Sequence, residues 1–273
     1  MIITEPCAGL GNRLLGLCTS YALSKRLERE LVVVWKREIG CNIRADELFQ
    51  LPMRVVEVSE NGYSKEPLAH FMGNRTKKNW RGRADLFLEC DDVEKIKEER
   101  GYDGLLQVVS ETPCIYFKTF GPVCEPAPSC FSFLKPAYAV EERGRELFGR
   151  IGTDTVGVHV RRSDHTEAIA NSPLALFAQE MRKEADSGRT ARFFIATDDA
   201  GVRTELKKLL PDLELIFYEK GVIDRNSKEG LIDAMVEMLA LSRCRKILGS
   251  YNSTFSLLPS MLGNVPLLVI KKQ

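Results

Sequence analysis

The stretch TVGVHVRRSDHTEA at residues 155–168 decides how the rest of the chain is read. Its first part, with Val156, Gly157, Val158 and Val160, carries β-branched residues at nearly every position instead of alternating them with polar ones. That pattern belongs to a strand covered on both faces, as in a parallel sheet flanked by helices. His159, Arg161, Arg162 and Asp164 then crowd the strand's exit. In open α/β sheets the crevice beyond the carboxyl ends of the strands is where ligands sit, and guanidiniums offer planar, permanently charged donors to phosphate oxygens. The stretch therefore predicts a diphosphate anchor. The alternative is a pair of solvated arginines salt-bridged to Asp164.

Working outward, strand and helix alternate for five rounds. Helices over 137–149, 173–184, 201–210, 230–241 and 254–262 lead into a strand at Val156 and strands over 192–196, 213–217, 246–249 and 266–270. Regular alternation implies a doubly wound parallel sheet. Three strand exits bring polar groups to one edge: residues 159–164, then Thr197, Asp198 and Asp199, then Ser250, Asn252, Ser253 and Thr254. Short polar residues also cap helices, so Asp199 and either Asn252 or Ser253 have that simpler reading open.

At the other end, residues 2–4 read as a strand, CAGLGNR at 7–13 as a small-residue loop opening a helix, and LVVVW at 31–35 as a second buried strand. In such a βαβ unit Gly9 and Gly11 admit a ligand to backbone amides at the helix's amino end, which favours anions. Asn12 and Arg13 add side-chain donors. The loop is not a full GxGxxG, and the second strand ends in Trp35, Lys36 and Arg37 instead of the acid that holds a ribose, which disfavours a dinucleotide dehydrogenase. A glycine turn serving only helix packing is the plainer alternative. Between 46 and 136 the candidate strands are 54–58, 86–89, 105–109 and 115–118. The basic run at 73–83 surrounds Trp80 and is either a solvated loop or an acceptor-binding lip on which Trp80 stacks against a sugar ring. FGPVCEPAPSCFSFLKP at 120–136 fits a domain connection, dividing an N-terminal domain, 1–135, from a C-terminal one, 136–273.

With 273 residues the chain exceeds the size at which single cores usually divide. A net charge of +1, from 39 basic and 38 acidic residues, removes any global argument for nucleic acid or an anionic membrane as partner. No apolar run approaches the roughly 20 residues of a membrane span, and MIITEPCAGLGN at the start reads as a first strand, not a secretory leader. Eight scattered cysteines without a CxxC pair suggest reduced thiols in a cytoplasmic protein, with Cys124 and Cys130 as the one candidate pair. The sequons at Asn74 and Asn252 are accordingly not read as glycan sites, and His70 is read as structural. No metal or cofactor is expected: ligand spacing is absent, and Asp198-Asp199 is not an Asp-x-Asp.

These residues carry a resemblance. GLGNR at 9–13, HVRRSD at 159–164, ATDD at 196–199, and LSRC followed by GSYNSTFS within 241–256 make the sequence similar to the fucosyltransferase superfamily of nodulation-factor and core α1,6-, α1,2- and protein O-fucosyltransferases. The match covers the first helix and most of the second half; 46–136 shows no pattern that aligns. The resemblance implies the GT-B fold, two Rossmann-like domains facing a cleft, with the acceptor on residues 1–135 and the nucleotide sugar on 136–273. It implies inverting, metal-independent transfer of L-fucose from GDP-fucose to a hydroxyl of a glycan-type acceptor. Its partners would be a nucleotide-sugar donor and a carbohydrate acceptor. Arg161 would take up charge building on the β-phosphate, with His159 touching the nucleotide and Arg162 and Asp164 holding the loop. Ser250, Ser253 and Thr254 would receive the phosphates, Asp198 would belong to the donor site, and Gly9, Gly11, Asn12 and Arg13 would close on the same diphosphate.

Where the family keeps a guanine-reading aspartate this chain has Glu237, with Asp233 one turn earlier on the same helix face. Either reads the base, or both are exposed carboxylates pairing with lysine. Glu167, in a Thr-Glu-Ala that the core-fucosylating branch shares, is the candidate base that deprotonates the acceptor, with His165 its competitor. Transfer from another nucleotide sugar, and a silent GDP-sugar-binding protein, are the remaining readings.

Overall fold

The structure, a computed structural model, describes residues 1–59, 84–163, 166–188, 192–219, 224 and 226–272. His70, the basic run at 73–83, Asp164 and His165 lie outside the described residues. The chain divides into two compact units, Met1–Ala137 with Asp224–Leu231, and Tyr138–Ile223 with Ile232–Gln273. A single cut at 135/136 does not provide the Asp224–Leu231 piece that counts with the first unit.

The first unit begins with β1 (Ile2–Pro6), α1 (Leu10–Arg26) and β2 (Leu31–Lys36), followed by α2 (Ala45–Leu48), β3 (Phe49–Gln50), β4 (Arg54–Val58), β5 (Leu86–Leu88), α3 (Cys90–Glu111) and β6 (Ile115–Thr119). Its main sheet is parallel in the order β4-β2-β1-β6-β5. Residues 105–109, expected as a strand, are helical. Leu105 and Val109, four apart, are buried while Gln107 and Ser110 face out, and α3 reaches them across a kink at Gly101, whose φ is 66°. A five-residue, mostly apolar run does not by itself distinguish strand from buried helix face. The proline-rich 120–136 is likewise more than a connector. Val123, Cys130 and Phe131 are buried, Val123 N–H donates to Thr19 Oγ1 at 3.0 Å, and β7 (Lys135–Pro136) pairs antiparallel with β3.

The second unit runs α4 (Tyr138–Arg150), β8 (Thr155–Val160), α5 (Thr166–Asn171), α6 (Leu174–Asp186), β9 (Arg192–Thr197), α7 (Ala200–Leu209), β10 (Glu214–Phe217), α8 (Lys228–Ser242), β11 (Lys246–Ser250), α9 (Thr254–Gly263) and β12 (Leu267–Ile270). Its sheet is parallel in the order β10-β9-β8-β11-β12. All of β8 is buried. On one face Val156, Val158 and Val160 share a core with Phe177, Met181, Val202 and Leu206. On the other face α8 comes so close that a Cβ at Gly157 would lie 2.9 Å from Leu241 Cδ2 and 3.2 Å from Cys244 Sγ. The chain winds from β8 outward through β9 and β10, then returns to start again at β11, so the winding reverses between β8 and β11. Crevices of doubly wound sheets open at such reversals. Among the described residues no helix is long and apolar enough to cross a membrane.

Two stability predictions arise here. Gly157→Ala forces a methyl into the packed face of α8 and is expected to lower unfolding free energy by about 1–3 kcal/mol, read from urea denaturation. In β4, Glu57 Oε1 accepts from Ala45 N–H at 2.7 Å while its Oε2 is buried without a hydrogen bond, and burial pushes this carboxyl up to about 7 from 4.5. An acid with a raised folded-state pKa stabilises below its unfolded value and loses that contribution as pH rises through the folded one. Stability measured across pH 4.5 to 7 should therefore fall, and Glu57→Gln should flatten the fall.

Candidate functional site

The reversal between β8 and β11 is where the second unit's polar residues collect. His159, the last but one residue of β8, pairs in register with Ala196 of β9 and Gly249 of β11. Its ring is buried and lies beside Phe255, with ring centroids 5.0 Å apart. Ser256 Oγ is 2.7 Å from His159 Nδ1 and accepts from Ser250 N–H at 3.1 Å. One hydroxyl therefore serves both the buried imidazole and a strand amide. Gly249 is what lets Ser256 approach. A Cβ there would stand 2.6 Å from Ser256 Cβ and 2.8 Å from its Oγ.

The loop leaving β8 is held from both sides. Toward β11, Ser250 Oγ donates to His159 O at 3.0 Å and accepts from Arg161 N–H at 2.8 Å. Toward β9, Asp198 accepts from Arg162 N–H at 2.7 Å and from the Ser163 hydroxyl at 2.6 Å, and its Oδ2 pairs with Arg161 Nη1 at 2.6 Å. The Arg161 guanidinium is thus fixed where it sits, with 22% of the side chain exposed. Arg162 turns inward and donates to Arg161 O at 2.9 Å and Ser172 O at 3.1 Å; burial lowers its pKa from the ordinary arginine value. Ser172, which the sequence reading passed over, also accepts from Tyr251 N–H at 2.9 Å and donates to Ile270 O at 2.5 Å. Serines are too common for a short pattern to single out Ser172 or Ser256.

Several sequence assignments change. Ser250 is 1% exposed and both hydrogen bonds of its hydroxyl go to the β8 exit, so it clamps the loop and does not present its hydroxyl to a ligand. Asp198 likewise organises the loop. Asp199 caps α7, accepting from Gly201 N–H at 2.7 Å. Asp233 accepts from Arg143 Nε at 2.5 Å and Nη2 at 3.1 Å and from the Tyr218 hydroxyl at 2.7 Å. At 1% exposure it is a structural carboxylate, and Glu237, at 4%, is buried too. Neither is the exposed, lysine-paired acid that the sequence left open.

Ser253 and Thr254 stand at the amino end of α9, where Ser253 makes no side-chain cap. Amides at the start of a helix lack acceptors within it; here Ser256 N–H already donates to Ser253 O at 3.0 Å. Asn252 precedes them with φ 49°, and its Nδ2 donates to Glu167 Oε2 at 3.4 Å. The exposed Glu167 on α5 is therefore brought next to the β11 loop.

In the first unit the loop after β1 also lies at a reversal, with β2 on one side of β1 and β6 on the other. Gly9 is the N-cap of α1 and makes no side-chain cap, Gly11 is buried in the first turn and Asn12 is half-buried. The left-handed residue is Ala8, with φ 67°. Arg13 does not extend toward a ligand. It is fully buried, donating to Ala8 O at 2.7 Å, Lys36 O at 2.6 Å and Glu38 Oε1 at 2.7 Å, with its guanidinium 5.2 Å from the Trp35 ring centroid. It builds the loop from within.

Two variants test the second unit's clamp. Ser256→Ala leaves the Ser250 amide and His159 Nδ1 without their shared partner, and should lower stability by about 1–3 kcal/mol. Asp198→Ala should speed hydrogen exchange at the Arg162 amide while leaving amides of β8 protected.

No protein-family model matches the sequence, and no curated protein does. Solved structures match over the whole chain. The crystal structure of NodZ α-1,6-fucosyltransferase soaked with GDP-fucose has 19% identity and a TM-score of 0.64, covering 97% of this chain and 93% of that one. POFUT1 in complex with GDP has 15% identity and a TM-score of 0.60, covering 98% and 97%. A mutant of Arabidopsis thaliana FUT1 in complex with GDP has 16% identity and a TM-score of 0.64, covering 100% of this chain and 70% of that one. Two parallel five-stranded sheets with interleaved helices, in this order along the chain, are thus the GT-B fold of these fucosyltransferase structures.

Proposed function

We propose that the protein is an inverting, metal-independent glycosyltransferase that moves L-fucose from GDP-fucose to a hydroxyl of a glycan-type acceptor in the cytoplasm. The observation that carries this reading is the Arg161 guanidinium, set by Asp198 at the exit of β8, on the sheet's reversal beside the uncapped amino end of α9. Breaking the glycosidic bond places negative charge on the departing diphosphate. A cation whose position is fixed in advance stabilises that charge as it develops more than it stabilises the bound donor. The α9 amides supply further donors that need no reorganisation. The likeness to a structure soaked with GDP-fucose and to structures in complex with GDP supports the choice of donor.

Within this reading Glu167 takes the proton from the acceptor hydroxyl. Glu237 is the carboxylate for guanine, in the place where the related sequences keep theirs, and Asp233 accepts from Arg143 and Tyr218. The first unit holds the acceptor. His159 shapes the loop through its ring and main-chain carbonyl.

GDP should raise the melting temperature more than UDP or NAD at equal concentration, and a larger shift with UDP would sink the choice of donor. Arg161→Ala should lower transfer by at least about a hundredfold while the fold is retained by circular dichroism, and Glu167→Gln should lower kcat by about 10²–10⁴-fold. Transfer should survive EDTA. GDP binding without transfer to any acceptor in a glycan panel would identify a silent binding protein instead.

A further inference from the structure

On the first unit's sheet three strand exits gather titratable side chains that the proposed transfer does not use. Cys7 follows β1, Cys90 is the first residue of α3 after β5, and Lys118 lies at the end of β6. Cys7 Sγ and Cys90 Sγ are 3.3 Å apart although 83 positions separate them in sequence. Both are half-buried, whereas Cys18, Cys41, Cys130 and Cys244 are buried. The backbone around them is set: Cys7 N–H donates to Thr119 O at 2.9 Å, and the Glu89–Asp92 capping box fixes the start of α3.

The surroundings make the two sulfurs unequal. Cys90 shares a sulfur–sulfur hydrogen bond with Cys7, sits at a helix amino end, and lies near the Lys118 ammonium, which also pairs with Glu89 at 3.4 Å and Glu5 at 3.7 Å. The Cys7 hydrogen bond, followed by Lys118, holds the Cys90 thiol below its ordinary range against burial and the nearby Glu89 and Glu5. The same hydrogen bond and burial push the Cys7 thiol up. An attacking thiolate and a resolving thiol in contact are what disulfide exchange requires.

We propose that Cys7 and Cys90 are a thiol-modification site, forming a reversible disulfide by exchange with a low-molecular-weight disulfide. The Cys90 thiolate attacks one sulfur of the small disulfide, breaking its S–S bond and releasing one small thiolate. Cys7, giving its proton to solvent, then attacks the Cys90 sulfur of the mixed disulfide and expels the second. Two protein thiols are oxidised, and one small disulfide is reduced to two thiols that take up the two protons. The bond ties the residue that opens the glycine loop to the start of α3, and closing so long a loop restricts the unfolded chain. The pair suggested by sequence, Cys124 and Cys130, is less suited. Burial and the adjacent Cys130 push the Cys124 thiol up to about 12.

The test is equilibration of the full chain with oxidised glutathione, alkylation of remaining thiols with iodoacetamide, and peptide mapping by mass spectrometry. The expected result is a Cys7–Cys90 linked peptide lacking two hydrogens and split by dithiothreitol. A melting temperature raised by several degrees should accompany it, and both should be lost in Cys90→Ser. Alkylation of both cysteines, arrest at a glutathione adduct on Cys90, or linkage between Cys124 and Cys130 would each overturn the proposal. Mapping of the unaltered protein decides even if the variant fails to fold, and it does so whether or not the protein transfers fucose.

Discussion

The carboxylate of Asp198 is the fixed point of the second unit's strand exits. It stands one strand over from the loop it organises, and accepts from a guanidinium, a backbone amide and a hydroxyl contributed by three successive residues, Arg161, Arg162 and Ser163. An ion pair that is mostly out of water is stronger than one in bulk solvent, and the added hydrogen bonds satisfy the carboxylate's remaining lone pairs. This arrangement depends on topology. An edge strand has a neighbour on one side alone, whereas β8, in the middle of its sheet, has one on each. Its exit is therefore gripped by β9 through Asp198 and by β11 through Ser250. Strand order, more than any one side chain, turns a flexible connection into a rigid one.

The grip from β11 depends in turn on a residue with no side chain. Gly249 lets the first turn of α9 press against the sheet, which brings Ser256 within reach of both His159 Nδ1 and the Ser250 amide. One hydroxyl thereby serves two buried polar groups. Ser172 does comparable work where β12 and the β11 loop meet, and carries the inward-turned Arg162 on its carbonyl.

Much of this was legible in the sequence, and the limits have physical causes. The unbroken β-branched run of β8 and the helical spacing after it gave the parallel sheet, because burial on two faces leaves no room for alternation. His159, Arg161, Asp198 and Ser250 stand at strand exits about the β8–β11 reversal. Their directions were not readable, because direction is set by partners distant in sequence: Arg13 meets Glu38 only once β2 lies beside β1, and Asp233 meets Arg143 across 90 positions. The helix over 105–109 was missed because a short apolar run looks alike in both periodicities. Asp164 drew attention through its place in the motif, whereas the carboxylate that holds the described part of the loop comes from the next strand.

Many of the charged and polar residues that motif spacing marks as ligand contacts are turned into the protein. Arg13, Arg162, Asp198, Ser250 and Asp233 all have protein partners, and Arg13, Ser250 and Asp233 are almost wholly out of solvent. In each unit a buried or half-buried charge fixes a loop at a sheet's reversal and leaves an uncapped helix end beside it, α1 with Gly9 and α9 with Ser253 as N-cap. Backbone amides at such an end are donors of fixed direction, and their recognition of an anion does not depend on side-chain identity. A motif of arginines, aspartate and serines therefore need not encode the contacts themselves. It encodes the anchorage that holds these loops, and the Arg161 guanidinium with them, at the strand exits. Fold neighbours with less than a fifth of their residues in common with this chain are what such an arrangement allows, since substitutions that preserve strand order and loop anchorage leave those donors in place.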